Sequence, residues 1–376
     1  MSGERLAIVV SGTLVGAPRQ GGATWAVLQY VLGLRQLGHE VLVVEQLAFD
    51  GDGFDVAARA FAEIVRRFGL EHDAALLDPA TQATVGLSRA AIERRADAAD
   101  VLLNISGTLT DECLLGRVAC RVYVDLDPGF TQLWHAVDGV DMGLDRHDRF
   151  VTIGLRIGDD GCDVPTCDRA WITTPQPIVL EHWPFAAGSP PEVMTSVGNW
   201  RSYGSVEHGG VFYGQRAHSL RRLLDLAARA PVGVALALGI DDGESDDIAS
   251  LRRYGWTLTD PDRAAGTPSR YENFVGRSWA ELGVAKSGYV ASACGWFSDR
   301  SACYLASGRP VVAQDTGFPG LLPSGEGLHA FVTVEQAVTA IEEVRSDYQR
   351  QRLAARAIAE EHLASDRVLT RLLEAL

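Results

Sequence analysis

Lysine is nearly missing from this chain: of 34 Lys and Arg residues in 376, the only lysine is Lys286. Such a bias toward arginine reflects a GC-rich genome more than chemistry, but the surviving lysine falls in the stretch richest in functional signal. Positive charge is short as well. Against 49 acidic residues the formal net charge is −15, which argues against a nucleic-acid backbone or an anionic membrane as partner, since both reward basic surfaces. No apolar run approaches the about 18 residues of a membrane span. The first apolar run, 6–10, is too short and too near Gly12 and Gly16 to be a secretory core, and a cytoplasmic protein is expected. Six cysteines are present, and Cys162 and Cys167 have no second pair at ligand spacing, so they read as small buried hydrophobes and no metal site is expected. No short repeat or low-complexity segment occurs.

Length and composition suit two domains: 376 residues with 47% apolar residues suffice for two cores. The first half opens with an apolar run at 6–10, a loop with four glycines at 12–22, a helix over 23–37 with apolar residues every three or four positions, and an apolar run at 41–44. This is a βαβ unit, and its crossover implies a parallel sheet covered on both faces. Strands are expected at 101–105, 121–124 and 150–154, with helices at 56–68 and 88–99. Pro and small residues cluster between 173 and 191, which reads as a linker. The second half alternates again: strand 193–198, helix 217–229, strands 232–238 and 254–258, helix 278–286, strand 288–291, helix 299–306 and strand 311–313. From 332 onward the chain is Ala/Glu/Arg-rich and reads as helical, with a break near Ser365. The domains are accordingly drawn at 1–174 and 192–360, with a linker at 175–191 and a terminal helix at 361–376. Two such lobes leave one deep cleft, the default site.

The stretch Ser278 to Gly320 carries most of the chemistry. A Gly-rich turn at Cys294 and Gly295 precedes the helix at 299–306, whose first amides lack helical partners and attract phosphate. Ser298, Asp299, Arg300 and Ser301 cluster at that helix start. Asp315, Thr316 and Gly317 follow the strand at 311–313 at its C-terminal end, where open α/β sheets place ligands. In the first half, Asp125 and Asp127 end a strand in VYVDLDPG, and His147 in LDRHDRF has an unperturbed pKa suited to proton transfer at neutral pH. Asp-x-Asp-Pro-Gly is also ordinary turn chemistry.

The ordered set Gly21-Gly22, LGHEV at 37–41, SVGNWR at 196–201 and GRPVV at 308–312 resembles the GT-B glycosyltransferases. The resemblance implies two Rossmann-like lobes facing across a cleft, with a last helix returning to the first lobe. It implies a glycosyltransferase that moves a sugar, hexose or deoxysugar, from a nucleotide-diphosphate sugar such as UDP-, dTDP- or GDP-sugar to a small-molecule acceptor of the natural-product kind, with no metal or other cofactor. It places the donor diphosphate at Gly21, Gly22, Arg201 and Arg216, with Lys286 as an alternative ligand. Trp256 is set against the base and Asp299 on the ribose, since a carboxylate accepts two hydroxyl hydrogen bonds. Asp125, Asp127 and His147 are left on the acceptor side as candidate bases, in the lobe opposite the donor.

The chain departs from both large GT-B classes. Gly295 and Cys303 stand where the retaining class has two glutamates, and CGWFSDR at 294–300 resembles the CGWNS core of the inverting class but has Ala293 where that class has histidine. Three alternatives follow. A metal-binding Asp-x-Asp would suit a GT-A domain, which has no second lobe. A GT-B sugar-nucleotide epimerase keeps the fold without an external acceptor. A catalytically silent GT-B partner protein accommodates the missing glutamates. Under any of these readings a homodimer is one form of assembly open to the chain.

Overall fold

The computed structural model describes residues 5–48 and 53–376. Among them two sheets dominate. The first holds β1 (Ala7–Ser11), β2 (Glu40–Gln46), β3 (Ala74–Leu77), β4 (Thr84–Gly86), β5 (Val101–Ile105), β6 (Cys120–Asp125), β7 (Arg149–Thr152) and β8 (Trp171–Thr173), in the order β4-β3-β2-β1-β5-β6-β7-β8. Every pairing is parallel except β3 with β4. Continuous apolar runs such as Val101-Leu-Leu and Val122-Tyr-Val form its centre because a parallel sheet is covered on both faces, and these residues are fully buried.

The second lobe holds β9 (Val193–Asn199), a hairpin of β10 (Val206–His208) and β11 (Val211–Tyr213), then β12 (Gly233–Gly239), β13 (Thr257–Leu258), β14 (Ala280–Gly283), β15 (Val311–Gln314) and β16 (Leu328–Phe331). Its six-stranded sheet runs β13-β12-β9-β14-β15-β16, all parallel. Strand order reverses beside β1 in one sheet and beside β9 in the other, so each lobe opens a crevice at the C-terminal ends of those strands.

Two expectations for 278–291 are reversed. The segment read as helix 278–286 contains strand β14, and the segment read as strand 288–291 lies in the helix Ser287–Ser292. Ala-Glu-Leu looks helical because a charge inside an apolar run argues against a buried strand; here Glu281 is fully buried and paired with Arg300 of the helix Asp299–Ala306. The helix expected over 217–229 breaks after Arg222 and resumes at Leu226.

The lobes share apolar packing: Trp25 and Trp183 lie 5.1 Å apart between ring centres, and Trp183 meets Tyr271 edge-on at 5.8 Å. Linker and C-terminal segment cross as a bridge, with the Ile178 amide donating to Leu363 O and the Ser365 amide to Ile178 O. The last helix, Ser365–Ala375, packs on the helix Gly21–Gln36, where Gly33 leaves room for Ser365 and Leu369. At the far end of the cleft the β10–β11 hairpin buries Val206 and Tyr213 against Phe130 and Leu133 of lobe 1.

Candidate functional site

Between the lobes lie two connected chambers. The outer, about 680 Å³, is bounded by the loop Pro18 to Gln20 and Gly22 of lobe 1 and by the ends of β9 and β12 with Ile240, Asp260 and Pro261 of lobe 2. The inner, about 220 Å³, holds Asp127, Gln176, Arg216, Lys286, Tyr289 and Trp296. Gly198, Asn199, Asp299 and Arg300 border both.

At the lobe 1 side the helix Gly21–Gln36 points its first turn at the outer chamber. Gln20 at its N-cap provides no side-chain cap, and the first amides of a helix have no internal acceptor. Glycine is required here by close approach: a Cβ on Gly21 would fall 2.3 Å from the Thr267 carbonyl, so a side chain would pry the lobes apart. Asn199 donates to Gln20 across the cleft at 3.1 Å, and Arg19 pairs with Asp262 at 3.1 Å over its mouth.

On lobe 2, Arg216 is 8% exposed and none of the ion pairs among the described residues includes it. Its Nε donates to Val284 O at 2.9 Å and its Nη1 to Asn199 O at 3.1 Å, which leaves Nη2 at the inner chamber. Burial first, then the neighbouring Arg300 charge, pushes Arg216 down to about 9. A guanidinium does not give up its proton readily; the shift expresses the cost of burying this charge near Arg300. Arg300 differs, since it pairs with Glu281 and donates to Val197 O at 3.0 Å, fastening the helix Asp299–Ala306 to β9 and β14. Ser298 caps that helix by accepting from the Arg300 amide at 3.2 Å, and Asp299, raised by burial, sits in its first turn where both chambers meet.

Asp127 closes the inner chamber from lobe 1. Its Oδ1 accepts from Lys286 Nζ at 3.0 Å, Tyr203 OH at 2.5 Å and Tyr289 OH at 2.6 Å, all from lobe 2. Burial pushes Asp127 up, but the Lys286 charge and the two hydroxyls outweigh it and hold the carboxyl below its usual range. Lys286 is pushed down by burial, against Asp127. Its ammonium lies 3.7 Å from the centre of the Tyr203 ring and 5.2 Å from that of Tyr289, and Tyr289 stacks on Trp296 at 4.2 Å.

Other residues singled out in the sequence lie elsewhere. Asp125 is fully buried beneath Asp127: one oxygen accepts from Thr131 (2.7 Å) and the Asp127 amide (2.9 Å), the other from Gln132 (2.9 Å) and Thr152 (2.8 Å). It shapes the turn that presents Asp127 and has no open face, and burial raises its pKa. His147 lines neither chamber; Asn104 and the Gly143 carbonyl occupy its two ring nitrogens, and burial lowers its pKa. Arg201 faces the surface in an ion pair with Glu244. Trp256 is a core residue, 3% exposed, with its indole N–H donated to Leu224 O at 2.7 Å, so it is unavailable to stack on a base. Ser301 is buried beside Gly283. Asp315, Thr316 and Gly317 buttress the turn at 293–296 from behind: the Gly295 amide donates to Thr316 O at 2.8 Å, and a Cβ on Gly317 would meet Ala293 O at 2.4 Å. Tyr203 and Tyr289 gave no sequence signal, Tyr203 standing two residues after Arg201 and Tyr289 lying inside a segment read as strand; Gly198 entered only as part of SVGNWR, with no role of its own.

No family model matches the sequence, and no curated protein matches it. Solved structures do match over the whole chain. An alpha-glucosyltransferase in complex with UDP and mismatched DNA aligns with a TM-score of 0.59 at 11% identity, covering 100% of this chain and 99% of that one. The HepE protein of Anabaena in complex with UDP aligns at 0.57 and 14%, covering 98% and 99%. Sucrose-phosphate synthase of Thermosynechococcus elongatus aligns at 0.58 and 12%, covering 99% and 98%. The chain has the GT-B fold of these glycosyltransferases, with two Rossmann-like lobes facing across a cleft.

Proposed function

We propose that this GT-B protein is a glycosyltransferase that takes a sugar from a nucleoside-diphosphate sugar and passes it to a small acceptor, without a metal ion. The observation that carries this reading is Arg216, a buried cation with no carboxylate partner among the described residues and a free N–H at the inner chamber, whose wall also holds a second cation, Lys286. A diphosphate matches that arrangement, and an arginine fork suits phosphate oxygens.

In this reading the nucleoside lies in the outer chamber at the ends of β9 and β12. The diphosphate spans the first amides of the helix Gly21–Gln36 and Arg216, with Lys286 beside it, and the sugar points toward Asp127. The acceptor nucleophile attacks the anomeric carbon as the bond to the phosphate oxygen breaks, and the nucleoside diphosphate departs. Cations and amides already in place stabilise the charge that develops on it. The acceptor's proton goes to Asp127 in an inverting transfer, or to the departing phosphate in a retaining one. Asp127 becomes a better base once Lys286 turns to the phosphate, because that charge is what depresses its pKa most strongly. Metal independence is supported by Asp125, whose oxygens are both engaged by four donors that an ion would have to displace.

A small acceptor is supported by an apolar cavity of about 750 Å³ with Leu14, Val15, Val56, Ala60 and Ile64 in its wall, which adjoins the outer chamber at Pro18 to Gln20. The test is incubation with UDP-, GDP- and dTDP-sugars and a panel of hydroxyl-bearing apolar acceptors. Mass spectrometry should find a glycosylated acceptor and free nucleoside diphosphate. An epimerised sugar nucleotide with the acceptor untouched would contradict transfer.

A further inference from the structure

Asp127 and its three donors belong to different lobes. Lys286, Tyr203 and Tyr289 all come from lobe 2, the side assigned to the donor, and all converge on one carboxylate oxygen of lobe 1. The lobe 2 group is fixed without Asp127's help. Lys286 donates to the Tyr203 hydroxyl, is boxed by the Tyr203, Tyr289 and Phe130 rings, and Tyr289 is held by its stack on Trp296. An ammonium and two hydroxyls converging on one point form a receptor for a single anionic oxygen, and a carboxylate and a phosphate oxygen satisfy it alike. Arg216 borders the same chamber with Nη2 free, so a phosphate has a second cation for another of its oxygens, which Asp127 does not reach. Asp127 is also the more accessible member of its ion pair, with its side chain 35% exposed against 12% for Lys286.

We propose that Lys286, Tyr203 and Tyr289 form the receptor for the distal phosphate of a nucleoside diphosphate, and that Asp127 occupies it as an intramolecular stand-in which the nucleotide displaces. This rests on the donor-site reading above and adds two residues, Tyr203 and Tyr289, and a competition. The exchange involves no covalent change: Asp127 gives up three hydrogen bonds, the phosphate accepts them, and Asp127 is released beside the acceptor as the donor arrives. Donor binding thereby arms the base.

The competition makes an uncommon prediction, that removing a residue of the site tightens binding. Asp127→Asn keeps shape and hydrogen-bonding capacity but loses the charge that rivals the phosphate. Titration calorimetry of the full chain with UDP, GDP, dTDP and inorganic pyrophosphate should show affinity for the best diphosphate rising about tenfold or more in Asp127→Asn, as expected when a like charge within a few ångströms is removed, while glycosyl transfer falls. Tyr203→Phe and Tyr289→Phe each take a hydrogen bond from Asp127 in the free protein as well as from the phosphate in the complex, so they should weaken the diphosphate little in wild type and severalfold in the Asp127→Asn background, with the nucleoside unchanged in both; Asp127→Ser carries the test if Asp127→Asn is poorly folded by circular dichroism. Diphosphate affinity that is unchanged or weaker in the folded, uncharged Asp127 variant, or phenylalanine losses as large in wild type as in Asp127→Asn, overturns the stand-in. If wild type binds diphosphates through Arg216 but shows neither effect, this inference alone fails. If no diphosphate binds any of the proteins, the donor-site reading fails with it.

Discussion

Gly198 lies against the guanidinium of Arg216: a Cβ built on Gly198 would fall 2.2 Å from Nη1. The glycine also has φ of +150°, a backbone setting that side chains rarely adopt. The end of β9 is therefore shaped around the arginine, which is what a chain needs if it is to hold a cation beneath a ligand rather than in water.

Arg216→Ala should weaken nucleoside-diphosphate binding by roughly ten- to a hundredfold, the equivalent of about 1.5–3 kcal/mol for a charged hydrogen bond. Binding of the matching nucleoside should hardly change. Gly198→Ala should act in the same direction by displacing the guanidinium. Equal losses for diphosphate and nucleoside would show that Arg216 only supports the fold.

Arg201→Ala should leave diphosphate affinity within about twofold of wild type. Its side chain is 39% exposed and pairs with Glu244, and such surface pairs contribute little. A tenfold loss would restore Arg201 to the site that the sequence resemblance gave it.

Asp125→Ala should lower stability by about 3 kcal/mol, because it strands the buried hydroxyls of Thr131 and Thr152 and the amide of Gln132. EDTA should leave donor binding and turnover unchanged. Activity lost in EDTA and restored by Mn²⁺ or Mg²⁺ would contradict the metal-independent mechanism.

Glu45 offers a test by pH. Its carboxyl accepts from the Gly16 amide at 2.8 Å and from the Val15 amide, fixing the loop that leads into the cleft. Burial outweighs these bonds and pushes it from 4.5 up to about 7. A pKa raised on folding means that the folded state binds the proton more tightly, so this stabilisation is full below about pH 4.5 and is lost as pH rises through 7, with a span of roughly 3 kcal/mol. Melting curves of wild type against Glu45→Gln should diverge over that window, wild type losing ground as pH rises. Parallel curves would mean that the amides keep Glu45 ionised throughout.

Much of the architecture was legible because parallel sheets write themselves as continuous apolar runs. The helix Asp299–Ala306, the strand Val101–Ile105 and the alternation in both halves are read directly from spacing. Strand β14 was not legible, since Glu281 is tolerated there only by Arg300, 19 residues further on. The candidate site was legible in some of its residue types and not in its pairings. Lys286 stood out as the lone lysine and Asp127 as half of an Asp-x-Asp, but they are separated by 159 positions and lie in different lobes, and only the packing of the lobes brings them together. Arg201 and Trp256 illustrate the converse: position near a strand end does not say whether a side chain turns to the cleft, to the surface or to the core.

The donor site is tested most directly by calorimetric titration of the wild-type protein and Arg216→Ala with UDP, GDP, dTDP and their nucleosides. We expect at least one diphosphate to bind wild type well above its nucleoside, with that preference removed in the variant. A wild-type protein that binds none of the three diphosphates at millimolar concentration would contradict the account.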